Sequence, residues 1–386
     1  MISSMKPIKK ILKYFLVWRI LLFAPVILAG YLLEYGISHP FFEITYYKVL
    51  PEFLTPQIFT AWSNFDGVHY LSIAADGYRT EARFFPLFPI IIYVFSLGNI
   101  FYPVTYISAL IVTNAIFLLA LVIFYKLLRM DYPEKVSIQS ILYLLIFPTA
   151  FFFACVYTEG LFLLLTVLAF YFARKKKWFF ASLAGMLLVS TRFVGIFIIL
   201  ALIYEYLIAK KPLKLKNYLS MLAMSLFMSA GLAVYSIFNY FKWGSFWYFL
   251  TAQGELSNGR SVSGIVLPIQ TIYRYFKILT SLSPDQFEWQ LALLEVSAFL
   301  FGTVLLFIAW KKKVRISYLI FAIGAFLLPS LSGTFSGLPR YLLVIFPLFI
   351  ALSLIKPKSI KLIYYLVSAM LSFLLLMHFT RGFYIA

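Results

Sequence analysis

Runs of roughly 20 apolar residues recur along the whole length of this chain, separated by short basic clusters. A run of that length spans a bilayer as a helix, which satisfies its own backbone hydrogen bonds where no water is present. In water the same runs would expose more apolar surface than a single core can cover. The pattern therefore predicts an all-α polytopic membrane protein. Composition agrees: the 386 residues are 63% hydrophobic and only 12% charged, with a mean hydropathy of +0.93. No linker or shift in composition interrupts the chain, so residues 1–386 are expected to form one integral domain.

The net charge of +19 raises the question of a nucleic-acid partner. The basic residues, however, fall in short runs between apolar segments, at 6–13, 126–135, 174–177, 210–216, 311–315 and 356–361. That is the distribution of cytoplasmic loops under the positive-inside rule. No nucleic-acid partner is expected, and some of these lysines are placed to meet lipid phosphates. Cys155 is the sole cysteine, which excludes an intrachain disulfide and a thiolate metal cluster. The first apolar run has no small-residue cleavage site after it and reads as a retained anchor.

Parity fixes an expected topology. The basic runs at 6–13 and 126–135 both belong inside, so an even number of crossings separates them. Three apolar segments lie between, near 14–34, 84–98 and 104–128, and one of them cannot cross. Segment 84–98 is the shortest: about 15 residues make ~22 Å of helix against a hydrocarbon core of about 30 Å. Pro86 and Pro89 also interrupt its first turns. It is expected to be a juxtamembrane or re-entrant helix, leaving 35–103 as one long outer loop. Later spans are expected near 137–153, 159–173, 178–192, 194–209, 218–238, 290–310, 316–331, 340–355 and 362–380, about eleven crossings in all. The N terminus is then cytoplasmic, and 239–289 forms a second long outer loop.

Polar residues at this depth are functional candidates by default. Asp66 stands in WSNFDGVHYLSIAADGY, beside Trp62, Phe65 and Tyr70. If residues 62–76 are helical, Trp62, Asp66, His69 and Ile73 share one face, with Ser63 or Asn64 suited to cap its start. Such a carboxylate is suited to take a proton from a hydroxyl; equally, it suits the positive end of its own helix. Glu81, between Arg79 and Arg83, reads as a surface ion-pair cluster; Arg83, at the membrane boundary, reads either as a snorkelling side chain or as a ligand of a lipid phosphate. Glu159 precedes a span, where the helix dipole favours it. Arg192 lies midway through about 30 apolar residues, and a buried guanidinium there demands an anion, either Glu159 or a bound phosphate. Arg340 and Tyr341, after Pro339, have the same character. His69 with Asp66 and Asp76 is a poor match to a metal site. There is no P-loop and no dinucleotide fingerprint, so no cofactor and no soluble nucleotide donor is expected.

At these residues the chain resembles a known family. The run W-x-x-x-D-G-V-H-Y-L-x-I-A-x-x-G-Y-x-x-E-x-x-F-F-P-L-F-P at 62–89 is similar to the signature of GPI mannosyltransferase II and its prokaryotic relatives. F-P-T-A-F-F-F-x-x-x-Y-T-E at 147–159, S-T-R-F-V-G at 190–195 and P-R-Y at 339–341 follow in order. The resemblance implies the glycosyltransferase C fold and a polyprenyl-phosphate sugar donor. It also implies Asp66 as catalytic base, with Glu81, Arg83, Glu159 and Arg192 lining the donor and acceptor site. It fixes no acceptor; glycolipid, glycan and protein all stay open, with mannose as the default sugar.

The expected activity is an inverting glycosyl transfer on the outer face of a prokaryotic plasma membrane, among membrane lipids. Catalysis falls to Asp66; substrate binding falls to His69, Glu81, Arg83, Glu159, Arg192, Arg340 and Tyr341, with no metal. Two rivals carry different signatures. A lipid-linked sugar flippase should show internal repeats and polar groups along a path through the bilayer. A non-catalytic lipid-binding protein should tolerate the loss of Asp66 without a change in glycan output.

Overall fold

The computed structural model describes residues 2–34, 36, 57–99, 101–210, 214–256 and 264–385. Among the described residues the regular structure is helical, apart from a single bridge between Val266 and Ser332. Among the described residues, five helices are long and apolar enough to cross a membrane: Pro7–Leu32, Tyr102–Leu128, Leu215–Trp243, Phe287–Lys311 and Lys358–Thr380. Only 17–39% of their most apolar windows is buried within the protein. Outward faces such as Leu219, Leu226, Val304 and Leu366 are exposed and apolar, so lipid is their natural solvent. Residues 35, 37–56 and 100 of the expected outer loop 35–103, and residues 257–263 of the second, lie outside the described residues.

Several expected spans are shorter or broken. The span expected at 137–153 is a helix only over Glu134–Leu145, followed by a 3-10 turn over Ala150–Ala154. Pro148 accounts for the stop, because the residue before proline disfavours the α conformation. The span expected at 340–355 is divided into Leu338–Tyr341, a 3-10 turn Leu342–Val344 and Pro347–Leu354; Pro347 marks that break for the same reason. Segment 84–98 contains only the nine-residue helix Leu87–Phe95, about 13 Å long and too short to cross.

The chain divides into two compact units. The first comprises residues 1–81, 86–167 and 352–385. Its core is aromatic: Phe117 stacks on Phe153 at 4.1 Å, with Phe15 and Trp18 against the same ring. The ring of Phe379 packs on Phe151 and Phe152. Arg381 donates to the carbonyl of Leu33 at 2.7 Å, fastening the end of helix Lys358–Thr380 to the end of Phe23–Leu32.

The second unit holds residues 82–85 and 168–351. Tyr318 and Phe346 pack on Phe170, and Phe299 stacks between Phe326 and Phe335. Helices Trp178–Val189 and Leu215–Trp243 approach closely at Gly231, where a Cβ would lie 2.3 Å from the carbonyl oxygen of Met186. Small residues permit such backbone approach between membrane helices. Glu205 is buried and bound by both Arg315 and Ser317, an ion pair with no signal in the sequence.

Candidate functional site

In the first unit the chain reaches Asp66 through an abrupt turn. The helix Gln57–Thr60 passes into a 3-10 turn, Ala61–Ser63, and then breaks. Phe65 has φ 57° and ψ −115°, a conformation that residues with a Cβ rarely adopt. Strain of this kind costs of order 1–3 kcal/mol and persists only where the surroundings over-determine it.

Here the surroundings do so. The Tyr157 hydroxyl donates to the carbonyl of Asn64 at 2.8 Å and accepts the N–H of Asp66 at 3.2 Å, spanning the strained residue. The N–H of Val156 donates to the carbonyl of Trp62 at 2.7 Å. The Asn64 side chain donates to the carbonyl of Phe379 at 3.0 Å. The Phe65 ring lies against Phe379 and Tyr384, at 5.5 and 5.6 Å. Gly67 completes the fit, since a Cβ there would stand 3.3 Å from the carbonyl oxygen of Val156.

The helix therefore starts at Asp66 and runs to Asp76, which corrects the expectation of continuous helix from residue 62. Phe65 occupies the cap position; Ser63 donates to Thr60 and Asn64 to Phe379, so neither caps. Asp66 and His69 are half-buried, whereas Trp62 and Ile73 are buried and do not share their open face. As first residue of the helix, Asp66 sits at the positive end of its dipole.

The supports extend outward. The Arg19 guanidinium lies 3.9 Å from the centroid of the Trp62 ring and donates to Asn114 at 3.2 Å. Thr158 and Glu159 are fully buried, and Glu159 opens the helix Glu159–Arg174. Two separate sequence motifs, at 62–89 and 147–159, thus come together around one carboxylate. Glu81 acts locally, its carboxylate accepting the N–H groups of Arg79 and Thr80 at 2.8 and 2.9 Å. Arg79 reaches Asp76 at 3.4 Å, and Tyr102 donates to the same carboxylate at 2.6 Å.

In the second unit, Arg192 stands in extended conformation between helix Trp178–Val189 and the 3-10 turn Phe193–Ile196. Its guanidinium lies 5.6 Å from the centroid of Tyr341, as does that of Arg340. Two guanidiniums thus share one aromatic ring. Arg340 is buried, on a short helix entered through Gly337 at φ 79°, with Pro339 in its first turn. That helix ends at Tyr341 instead of opening an unbroken span. Arg83 lies 4.8 Å from the ring of Phe84. The peptides beside it are fixed by the Tyr235 hydroxyl, at 2.6 Å from the carbonyl oxygen of Ala82 and 3.0 Å from that of Phe84.

Sequence reasoning missed the roles of Tyr157, Asn64 and Tyr235. Tyr157 stood within a motif already singled out, while Tyr235 had no signal beyond lying in a long apolar run.

Membrane-length helices, together with a carboxylate held at a strained helix start, define a polytopic membrane protein with a built polar site. The matched sequence narrows that class: over residues 8–281 the chain fits the mannosyltransferase (PIG-V) family, and it belongs to that family. The match includes Asp66, Glu159 and Arg192 and ends before Arg340. Among solved structures, the chain is similar to the Archaeoglobus fulgidus oligosaccharyltransferase tethered by a disulfide to an acceptor peptide containing the NVT sequon. Identity is 12% and the TM-score 0.40, over 82% of this chain; the chain spans about half, 51%, of that protein. None of the curated proteins matches the sequence.

Proposed function

We propose that this protein is a membrane glycosyltransferase of the C fold class. It transfers a sugar, mannose by family, from a polyprenyl-phosphate donor to a glycolipid, glycan or protein acceptor at the outer membrane face. The observation that carries this reading is the turn at Asp66. A strained peptide held by Tyr157, Asn64 and Gly67 is a costly way to place a carboxylate unless its position matters.

In the proposed reaction Asp66 takes the proton from the acceptor hydroxyl as that oxygen attacks the anomeric carbon. The bond from the anomeric carbon to the phosphate oxygen breaks, the configuration inverts, and polyprenyl phosphate leaves. Arg192 and Arg340 are assigned to the phosphate, because planar guanidiniums match its geometry and stabilise the charge that develops on departure. Arg83 contributes the same chemistry at the membrane boundary. His69, one turn beyond Asp66 on the same open face, is assigned to an acceptor hydroxyl. Glu159 and Tyr341 are each assigned to substrate binding, and Glu81 to holding the turn that precedes Arg83.

The test is a reconstituted assay with purified protein in lipid vesicles. Polyprenyl-phosphate mannose and GDP-mannose are offered separately, with lipid extract from the parent membrane as acceptor. Transfer and stoichiometric release of polyprenyl phosphate are expected from the first donor alone. Transfer from the nucleotide sugar, or translocation of the lipid-linked sugar without transfer, would overturn the reading.

A further inference from the structure

The helix Pro268–Ser281 carries three distinct stripes. Thr271 and Tyr275, one turn apart, are buried against the rest of the second unit. Gln270, Arg274, Lys277 and Ser281 are exposed and form a polar stripe. Ile269, Ile272, Tyr273 and Phe276, at spacings of three and four, form a third stripe that is apolar and exposed. Ile265 and Leu267 extend that surface ahead of the helix, with Ile265 77% and Ile269 73% accessible.

Length excludes a crossing. Fourteen residues give about 21 Å of helix, short of the roughly 30 Å of a hydrocarbon core. Its ties fix its level instead. The Trp289 indole, in the first turn of span Phe287–Lys311, donates to the carbonyl of Leu279 at 3.0 Å. Two turns into the same span, buried Glu295 accepts a hydrogen bond from the Tyr275 hydroxyl. That hydroxyl also lies 3.1 Å from the Thr334 hydroxyl and accepts the N–H of Phe335 at 3.0 Å. The helix is thus bound beside roughly the first 12 Å of a membrane span, its Leu279 end at the first turn and Tyr275 two turns further in, which keeps it near the end of that span. Only five residues separate it from that span, whose own outward face continues apolar through Leu293 and Leu300.

We infer that Pro268–Ser281 is a non-crossing interfacial helix, with Ile269, Ile272, Tyr273 and Phe276 immersed among the acyl chains of the leaflet that covers this end of the span. Lys277 lies along the edge of the apolar stripe, where lipid phosphates stand, and Arg274 lies on the far side of the polar stripe. Lys277 is held 4.8 Å from the Tyr273 ring centroid, and Arg274 reaches the carbonyl of Gly333 at 3.3 Å. The occupant of the apolar face is phospholipid, recognised by apolar area on one stripe and by the Lys277 cation beside it. Through Tyr275, the same helix steadies residues 334–335, which lead into Gly337 and Arg340. Its placement does not depend on the proposed transfer reaction.

Nitroxide labels on single cysteines introduced at Ile272, Phe276, Gln270 and Ser281 test it. The protein is reconstituted in vesicles of phosphatidylcholine and phosphatidylglycerol; Cys155 is buried and stays in place, with the unsubstituted protein as the labelling control. At positions 272 and 276, collisions with oxygen should dominate those with an aqueous nickel chelate, and at 270 and 281 the order should reverse. Equal nickel access at all four positions would overturn the inference. So would shielding of 272 and 276 from both reagents, which marks a protein partner or a second copy as the occupant. If a cysteine at 276 lowers yield, position 273 reads the same stripe.

Discussion

In the proposed reaction the central residue is also the one most visible in the sequence. Asp66 is conspicuous because a carboxylate amid Trp62, Phe65 and Tyr70 requires a physical reason. Its setting was not visible. A four-residue spacing from Trp62 reads as one helical face, yet the helix begins only at Asp66, because Phe65 adopts a positive φ that leaves no mark in sequence. Tyr157 holds that turn through one hydroxyl with two partners. Tyr157→Phe is therefore expected to lower stability by about 1–3 kcal/mol, the cost of leaving buried polar groups unmatched. It should also reduce kcat more than it raises the KM for donor, as read by thermal unfolding and by transfer kinetics. Arg192 and Arg340 are expected to behave differently. Lysine at either position keeps the charge but loses the planar fork. Each exchange should raise the donor KM while leaving the unfolding temperature within a few degrees, and excess polyprenyl-phosphate sugar should restore part of the rate. A variant that instead unfolds would mark its arginine as structural.

At the scale of elements, apolar runs identified where helices lie but not where they break. The turns at Phe193–Ile196 and Leu342–Val344 contain the same apolar residue types as the helices around them, so periodicity cannot separate them. Pro148 and Pro347 were legible signals for two of the breaks. Helix contacts were less legible. Gly185 and Gly231 sit where helices Trp178–Val189 and Leu215–Trp243 meet, and a Cβ at 231 would also stand 2.5 Å from the Ser190 hydroxyl. Gly231→Ala is expected to cost about 1–3 kcal/mol by overpacking, lowering the thermal midpoint in detergent. An unchanged midpoint would show that the two helices can separate without loss. Glu205 and Glu295 lay hidden in apolar runs. Each resolves as a buried carboxylate with partners from another element, which no local pattern specifies.

Across the whole molecule, the basic runs and the apolar spans together imply a sidedness that labelling can read. Helix Leu87–Phe95 is too short to cross, so cysteines at Thr80 and Asn99 should react from the same side of sealed vesicles. A cysteine at Lys176, within a basic run, should react only from the other. Reaction of 80 and 99 from opposite sides would require another crossing and invert every later loop. In the proposed reaction the whole molecule serves to hold Asp66 where it can take a proton during sugar transfer. The decisive comparison sets Asp66→Asn against the parent protein in the reconstituted transfer assay, after both show the same unfolding temperature. Asparagine keeps the shape and cannot take the proton, so the rate should fall by about 10²–10⁴-fold, as general-base loss typically requires. A rate within about tenfold of the parent would contradict the assignment of Asp66 as the base.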